Sequence, residues 1–260
     1  MAASQALLLK VQPATSRVMQ ELSEPRPTYV AKRGDFLSPG EKVTGGMPLV
    51  LPAWPAQAPV NRLGLARWLV SPDQPLTARV TVNRLWAALF GQGIVSTLEE
   101  FGTQGAPPSH PELLDWLAVT FASEDQWSMK RTLRRMVLSA TYRQSAAVRA
   151  DAAARDPADV WLWRHPGQRL DAETIRDNAL AISGLLNAKM GGPPVFPWQP
   201  EGFWRPTAGA SLNKYRFSKD GDQFRRGIYT IWRRTAHYPS FSLFDAPDRN
   251  TCSLRRGRSS

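Results

Sequence analysis

The sequence predicts a mainly α protein: an irregular multi-helix domain with long Pro/Gly-rich connections and one short two-stranded β pairing. Three observations carry that prediction. Residues 77–142 read as a continuous program of helix, turn and helix, with apolar positions at helical spacing between glycine, proline and capping residues. The 22 prolines gather at residues 48–59, 107–111 and 193–206, where they forbid continuous helix. With 42% apolar residues, ten Trp and ten Phe, the 260-residue chain has enough apolar surface for a substantial core.

Taken in order, residues 1–25 form a flexible lead-in and residues 26–256 a single domain, followed by a tail at 257–260. Alternation over residues 28–32 suits a short strand. Asn61 caps a helix over residues 61–70 in which Leu65, Trp68 and Leu69 share a face, and Ser71-Pro72 ends it. Thr77 opens the next helix, which buries Val80, Leu85, Trp86, Leu89, Phe90 and the aliphatic stem of Arg84 before Gly91 and Gly93 turn the chain. His110-Pro111-Glu112 is a helix start, with proline at the first position and a carboxylate at the positive end of the dipole. Its apolar face is Leu113, Leu114, Trp116, Leu117 and Phe121. Ser128 caps a helix over residues 129–141 that buries Leu133, Met136 and Val137. Lys130, Arg131, Arg134 and Arg135 lie on its opposite, basic side. A connection bearing Trp161 and Trp163 leads to a helix over residues 170–187 opened by Asp171. Residues 193–204 are irregular, and alternation over residues 227–233 offers a strand to pair with residues 28–32.

Charge is concentrated at one end. The chain carries a net +11; Lys and Arg outnumber Asp and Glu by 12 to 4 from residue 203 onward, against 21 to 18 before it. That asymmetry favours a local anion-binding face over a uniformly cationic surface. The single cysteine, Cys252, excludes an internal disulfide framework and a cysteine-based zinc cluster. Three scattered histidines, His110, His165 and His237, form no HExxH motif, and no metal site is predicted. Only a short apolar run, residues 6–9, lies near the start with no basic residue ahead of it, too weak a signal peptide. No stretch approaches the roughly 18 apolar residues of a membrane-spanning helix.

Candidate chemistry is sparse. Glu112 and Asp115 sit three apart on one helix and could form an acid and base pair with Asp171 or Glu173, but helix-start carboxylates of this kind are ordinarily structural. His237, Ser240, Ser242 and Asp245 include the residue types of a nucleophilic triad, without the GxSxG frame that presents a serine. His237, Asp245 and Arg249 are the catalytic candidates, and no catalytic motif marks them. The segment from Trp204 to Arg234 interleaves aromatics with cations, the pattern that stacks on sugar rings or bases and pairs with sulfate, carboxylate or phosphate. Its candidate ligand-binding residues are Trp204, Tyr215, Arg225, Arg226, Trp232, Arg233 and Arg234, with an anionic glycan as the expected partner. A pI near 10.4 also admits nonspecific nucleic-acid binding, with no nucleic-acid motif to support it.

Several long motifs occur in one order: RGDFLSPGEKV, NRLWAALFGQGIVSTLEEFGTQGAPPSHPELLDWLA, WSMKRTLRRMVLSATYRQS, RLDAETIRDNALAISG, MGGPPVFPWQPEGFW and FDAPDRNTC. Over about residues 26–256 the chain resembles the planctomycete-type C-terminal domain of unknown function 1553, found downstream of cytochrome c-like domains. The resemblance implies a mostly helical module of a periplasmic or secreted protein. It places haem c on the cytochrome module of full-length relatives, with no cofactor in this chain, and carries over no catalytic residue. It further implies association with upstream cytochrome c-like and uncharacterised domains, a glycan-related role, and a chain that is a fragment of a longer protein. A polysaccharide-cleaving or redox enzyme completed by those other domains is the alternative expectation.

Overall fold

The computed structural model describes residues 16–204, 215–234 and 236–247. The chain divides into two compact units, one ending at Ala78 and the other starting at Arg79. Among the described residues it is mainly helical, with one small two-stranded sheet. Residues 1–15 of the expected lead-in, Arg249, Cys252 and the tail at 257–260 lie outside the described residues.

In the first unit, β1 (Thr28–Ala31) pairs antiparallel with β2 (Pro39–Val43), with Thr28 opposite Val43 and Tyr29 opposite Lys42. The expected pairing with residues 227–233 does not form. A partner a few residues away closes a far shorter loop, and Gly227–Tyr229 is instead a 3-10 turn. Asp35 organises the hairpin connection: its carboxylate accepts the Leu37 amide at 2.9 Å and the Ser38 hydroxyl at 2.8 Å. Those two bonds hold its carboxyl below the usual range. Helix α1 (Arg62–Leu69) starts as predicted, with the Asn61 side chain accepting the Gly64 amide at 3.0 Å. Its buried row, however, is Gly64 and Trp68, while Leu65 and Leu69 are exposed. Gly64 lets Trp54 approach so closely that a Cβ would stand 2.5 Å from the indole, and the Trp68 Nε1 donates to the Pro52 carbonyl at 2.9 Å.

The second unit is built on α2 (Thr77–Phe90), whose inner row is Val82, Asn83, Trp86, Ala87 and Phe90. Arg84 is exposed rather than packed along its stem, and the fully buried Asn83 occupies the place next to it. The Asn83 amide donates to the Val95 carbonyl and accepts the Val95 amide, both at 2.9 Å, tying the helix to the turn that follows. Trp86 stacks on Phe90 with ring centres 4.0 Å apart.

Helix α3 (Pro111–Ala122) begins with Pro111 at its first turn and buries Leu114, Leu117, Ala118 and Phe121. Trp116, expected on that face, is half exposed, with the Arg135 guanidinium 5.8 Å from its ring centre. The α3 exit bends through Gln126 and Trp127, both at positive φ, into α4 (Met129–Leu138). The predicted basic side of α4 is broken by Arg135, which turns to Asp125 at 3.0 Å and Glu124 at 3.0 Å. Thr132 and Met136 are the buried α4 positions.

A short α5 (Ala150–Arg155), unanticipated in the sequence, precedes the Trp-bearing connection. Helix α6 (Ala172–Ile182) is shorter than the predicted 170–187 because Gly184 turns to φ 73 and the Leu185 and Leu186 amides both return to the Leu180 carbonyl. Its N-terminal turn packs against Gly227, where a Cβ would lie 2.9 Å from Glu173. Helix α7 (Pro239–Leu243) inserts Phe241, which is fully buried.

Candidate functional site

The C-terminal basic and aromatic residues separate into distinct settings. Residues 195–197 are held between two segments. The Val195 amide donates to the Tyr229 carbonyl at 2.8 Å and the Ile231 amide to the Val195 carbonyl at 2.9 Å; on the other side the Ser218 amide donates to the Phe196 carbonyl at 2.8 Å. This ladder gathers Phe196, Trp204 and Tyr215 into a three-ring cluster, with Trp204 and Tyr215 centres 5.1 Å apart and Phe196 5.6 Å from Tyr215. The Tyr215 hydroxyl donates to the Pro197 carbonyl, and burial pushes its phenol pKa upward. Arg233 lies over Trp204 with its guanidinium carbon 4.7 Å from the ring centre. Among the described residues no carboxylate pairs with it. Trp198, Phe203 and Phe217 are exposed on neighbouring positions of the same segments.

The remaining predicted residues sit elsewhere. Arg225 is 1% exposed; its guanidinium donates to the carbonyls of Lys189 at 3.1 Å, Gly191 and, at 3.4 Å, Pro193. It rests 3.9 Å from the Tyr229 ring centre, and the Tyr229 hydroxyl accepts the Gly191 amide at 2.8 Å. Arg225 therefore fastens the 189–193 loop and is withdrawn from solvent. Arg226 is directed to Asp177 at 3.0 Å, whose other oxygen accepts the Gly227 amide. Trp232 packs between His237 and Phe241, 5.5 and 5.3 Å away between ring centres. Arg234 is exposed, and Asp245 is exposed at φ 51 beyond α7.

A second feature, absent from the sequence-based candidates, is a cleft of about 440 Å³ beside the end of α2. Trp86 and Phe90 form one wall, the Ser109-His110 step and Pro107 another, and residues 158–168 close the far side. The Ser109 hydroxyl lies 3.0 Å from the His110 Nδ1 and donates to the Ile94 carbonyl at 3.2 Å. His110 occupies the α3 cap position without a side-chain capping bond. The far wall is organised by two aspartates. Asp156 accepts the Val160 and Trp161 amides at 3.0 and 2.7 Å, and Asp159, at φ 54, accepts the Trp163 amide at 2.9 Å. The run Asp-Pro-Ala-Asp before four apolar residues is the signal available in sequence, since aspartates that accept amides a few residues ahead shape such turns.

Among the described residues, no cluster of three or more His, Cys, Asp or Glu is arranged to hold a metal ion. No described helix is long and apolar enough to cross a membrane. Neither a curated protein nor a solved structure matches the chain. Residues 61–260 match the family described as PSD1, protein of unknown function (DUF1553), and the chain, with its ordered motifs and helical architecture, belongs to that family.

Proposed function

We propose that the C-terminal part of the second unit is a noncatalytic binding surface for an anionic polysaccharide, within a larger extracytoplasmic, cytochrome-associated protein. The observation that carries this reading is the Arg233 guanidinium stacked on Trp204 within the Phe196–Trp204–Tyr215 cluster, with no carboxylate beside it among the described residues. A planar cation held on an aromatic face is preorganised to pair with sulfate or carboxylate, while the rings accept the apolar face of a sugar. Haem c belongs in this reading to the cytochrome modules of longer relatives, and the chain itself needs no cofactor.

Calorimetric titration with dextran sulfate and with uncharged dextran tests it. Dextran sulfate is expected to bind saturably, and Arg233→Gln and Trp204→Ala each to weaken it by roughly fivefold, as loss of about 1 kcal/mol predicts. Equal affinity for both variants and the parent protein, or binding that vanishes at moderate salt as diffuse attraction does, would overturn the assignment.

A further inference from the structure

We propose that the cleft beside α2 binds a small, uncharged, polyhydroxylated ring compound of monosaccharide size, a site separate from the glycan surface and sharing no residue with it. Its volume, about 440 Å³, is within the roughly 300–1,000 Å³ of small-molecule sites. The wall contains no Lys or Arg, so no permanently cationic side chain faces an anion there. Its one carboxylate, Asp159, is balanced from behind by Arg164, 3.9 Å away. What remains is a lining of two kinds: apolar faces from Trp86, Phe90 and Pro166, and hydrogen-bonding groups from Ser109, His110, Gln168 and Asp159. That mixture suits a ring with apolar C–H faces and a rim of hydroxyls.

Asp159 makes the fit more specific. Its side chain is 9% exposed, and its Oδ2 has no hydrogen-bond partner among the described residues; the same holds for the Arg164 Nε opposite. An unmet buried acceptor and an unmet buried donor each cost about 1–3 kcal/mol or more. Asp159 is on the cleft wall and Arg164 is not, so a small turn of the carboxylate toward the cleft lets a ligand hydroxyl about 2.8 Å away donate to Oδ2. An anion without a hydrogen to donate cannot make that bond. The non-glycine left-handed conformation at Asp159 is a further cost, the kind of strain that collects at binding sites.

The test uses the full chain and a panel of methyl glycopyranosides of glucose, galactose and mannose, with adenosine for comparison, followed by saturation-transfer NMR and calorimetry. At least one glycoside is expected to bind saturably. Gly167→Trp is expected to weaken it by roughly tenfold or more without altering thermal unfolding, because a Cβ at Gly167 meets nothing within 4 Å. Asp159→Asn provides an independent variant: asparagine tolerates the left-handed conformation, keeps an acceptor for the Trp163 amide, and is expected to weaken binding severalfold. No binding by any glycoside, binding of adenosine alone, or a glycoside affinity unchanged in both variants would each overturn the inference.

Discussion

Replacing Arg225 tests the reasoning that divided the basic residues into structural and surface groups. Arg225→Ala removes two well-placed bonds to the Lys189 and Gly191 carbonyls and a longer one to Pro193. At about 1.5–3 kcal/mol for each charged hydrogen bond, the two good ones supply about 3–6 kcal/mol. The Tyr229 stack at 3.9 Å adds about 2 kcal/mol in a desolvated setting. Against this, removing a buried charge recovers several kcal/mol of desolvation. The carbonyls of the 189–193 loop are also open to water once the guanidinium leaves. The net expected loss is about 2–4 kcal/mol. In urea unfolding followed by circular dichroism and tryptophan fluorescence, with a slope of about 2 kcal/mol per molar, that is a midpoint shift of about 1–2 M. Arg225→Lys keeps the charge but cannot span the same carbonyls, and it is expected to fall between. Arg233→Ala, which loses only the stack on Trp204, is expected to stay within about 1 kcal/mol of the parent. A shift below about 0.5 kcal/mol for Arg225→Ala, or equal shifts for Arg225→Ala and Arg233→Ala, would refute the distinction.

Four further outcomes follow from contacts elsewhere in the fold. Asn83→Ala leaves the buried Val95 amide and carbonyl without their side-chain partners and is expected to cost about 2–4 kcal/mol, with faster hydrogen exchange at the Val95 amide. Burial pushes the Asp125 carboxyl up, but hydrogen bonds from Arg135 and Thr132 outweigh burial and hold it below its ordinary value. A depressed folded pKa contributes stability above the unfolded value of about 3.9 and loses it as pH falls through the folded one. The stability difference between the parent and Asp125→Asn, measured by unfolding at a series of pH values, is therefore expected to shrink below about pH 4. Gly227→Ala forces a Cβ to 2.9 Å from the α6 backbone at Glu173 and is expected to cost about 1–3 kcal/mol by thermal unfolding. Gly102→Ala, where a Cβ meets nothing within 4 Å, is expected to be neutral within about 0.5 kcal/mol.

Much of the helical order was readable from local chemistry. Asn61 before an apolar run, Pro111 at a first helical turn and Gly91 after Phe90 each act on their immediate neighbours, so their effect is visible in a short window. The misassigned faces have a different origin. Leu65 and Leu69 are more hydrophobic than Gly64, yet the close approach of Trp54 makes the glycine side of α1 the inner one. Trp116 fits an apolar row, but the α3 core is filled by Leu114, Leu117, Ala118 and Phe121. Hydrophobicity identifies residues able to be buried, whereas packing selects among them.

By itself the sequence determined the mainly helical class, the punctuation of its helices and the concentration of positive charge near the C-terminus, because each depends on composition or on residues only a few positions apart. The partner of β1, the burial of Arg225 and the joining of Trp204, Tyr215 and Arg233 were decided only by tertiary structure. So was the cleft built from residues 86–110 and 158–168. β1 takes the partner that closes the shorter loop, whereas the other three require more distant segments to meet, where loop closure, desolvation and fit jointly select one arrangement from many that the same residue types allow.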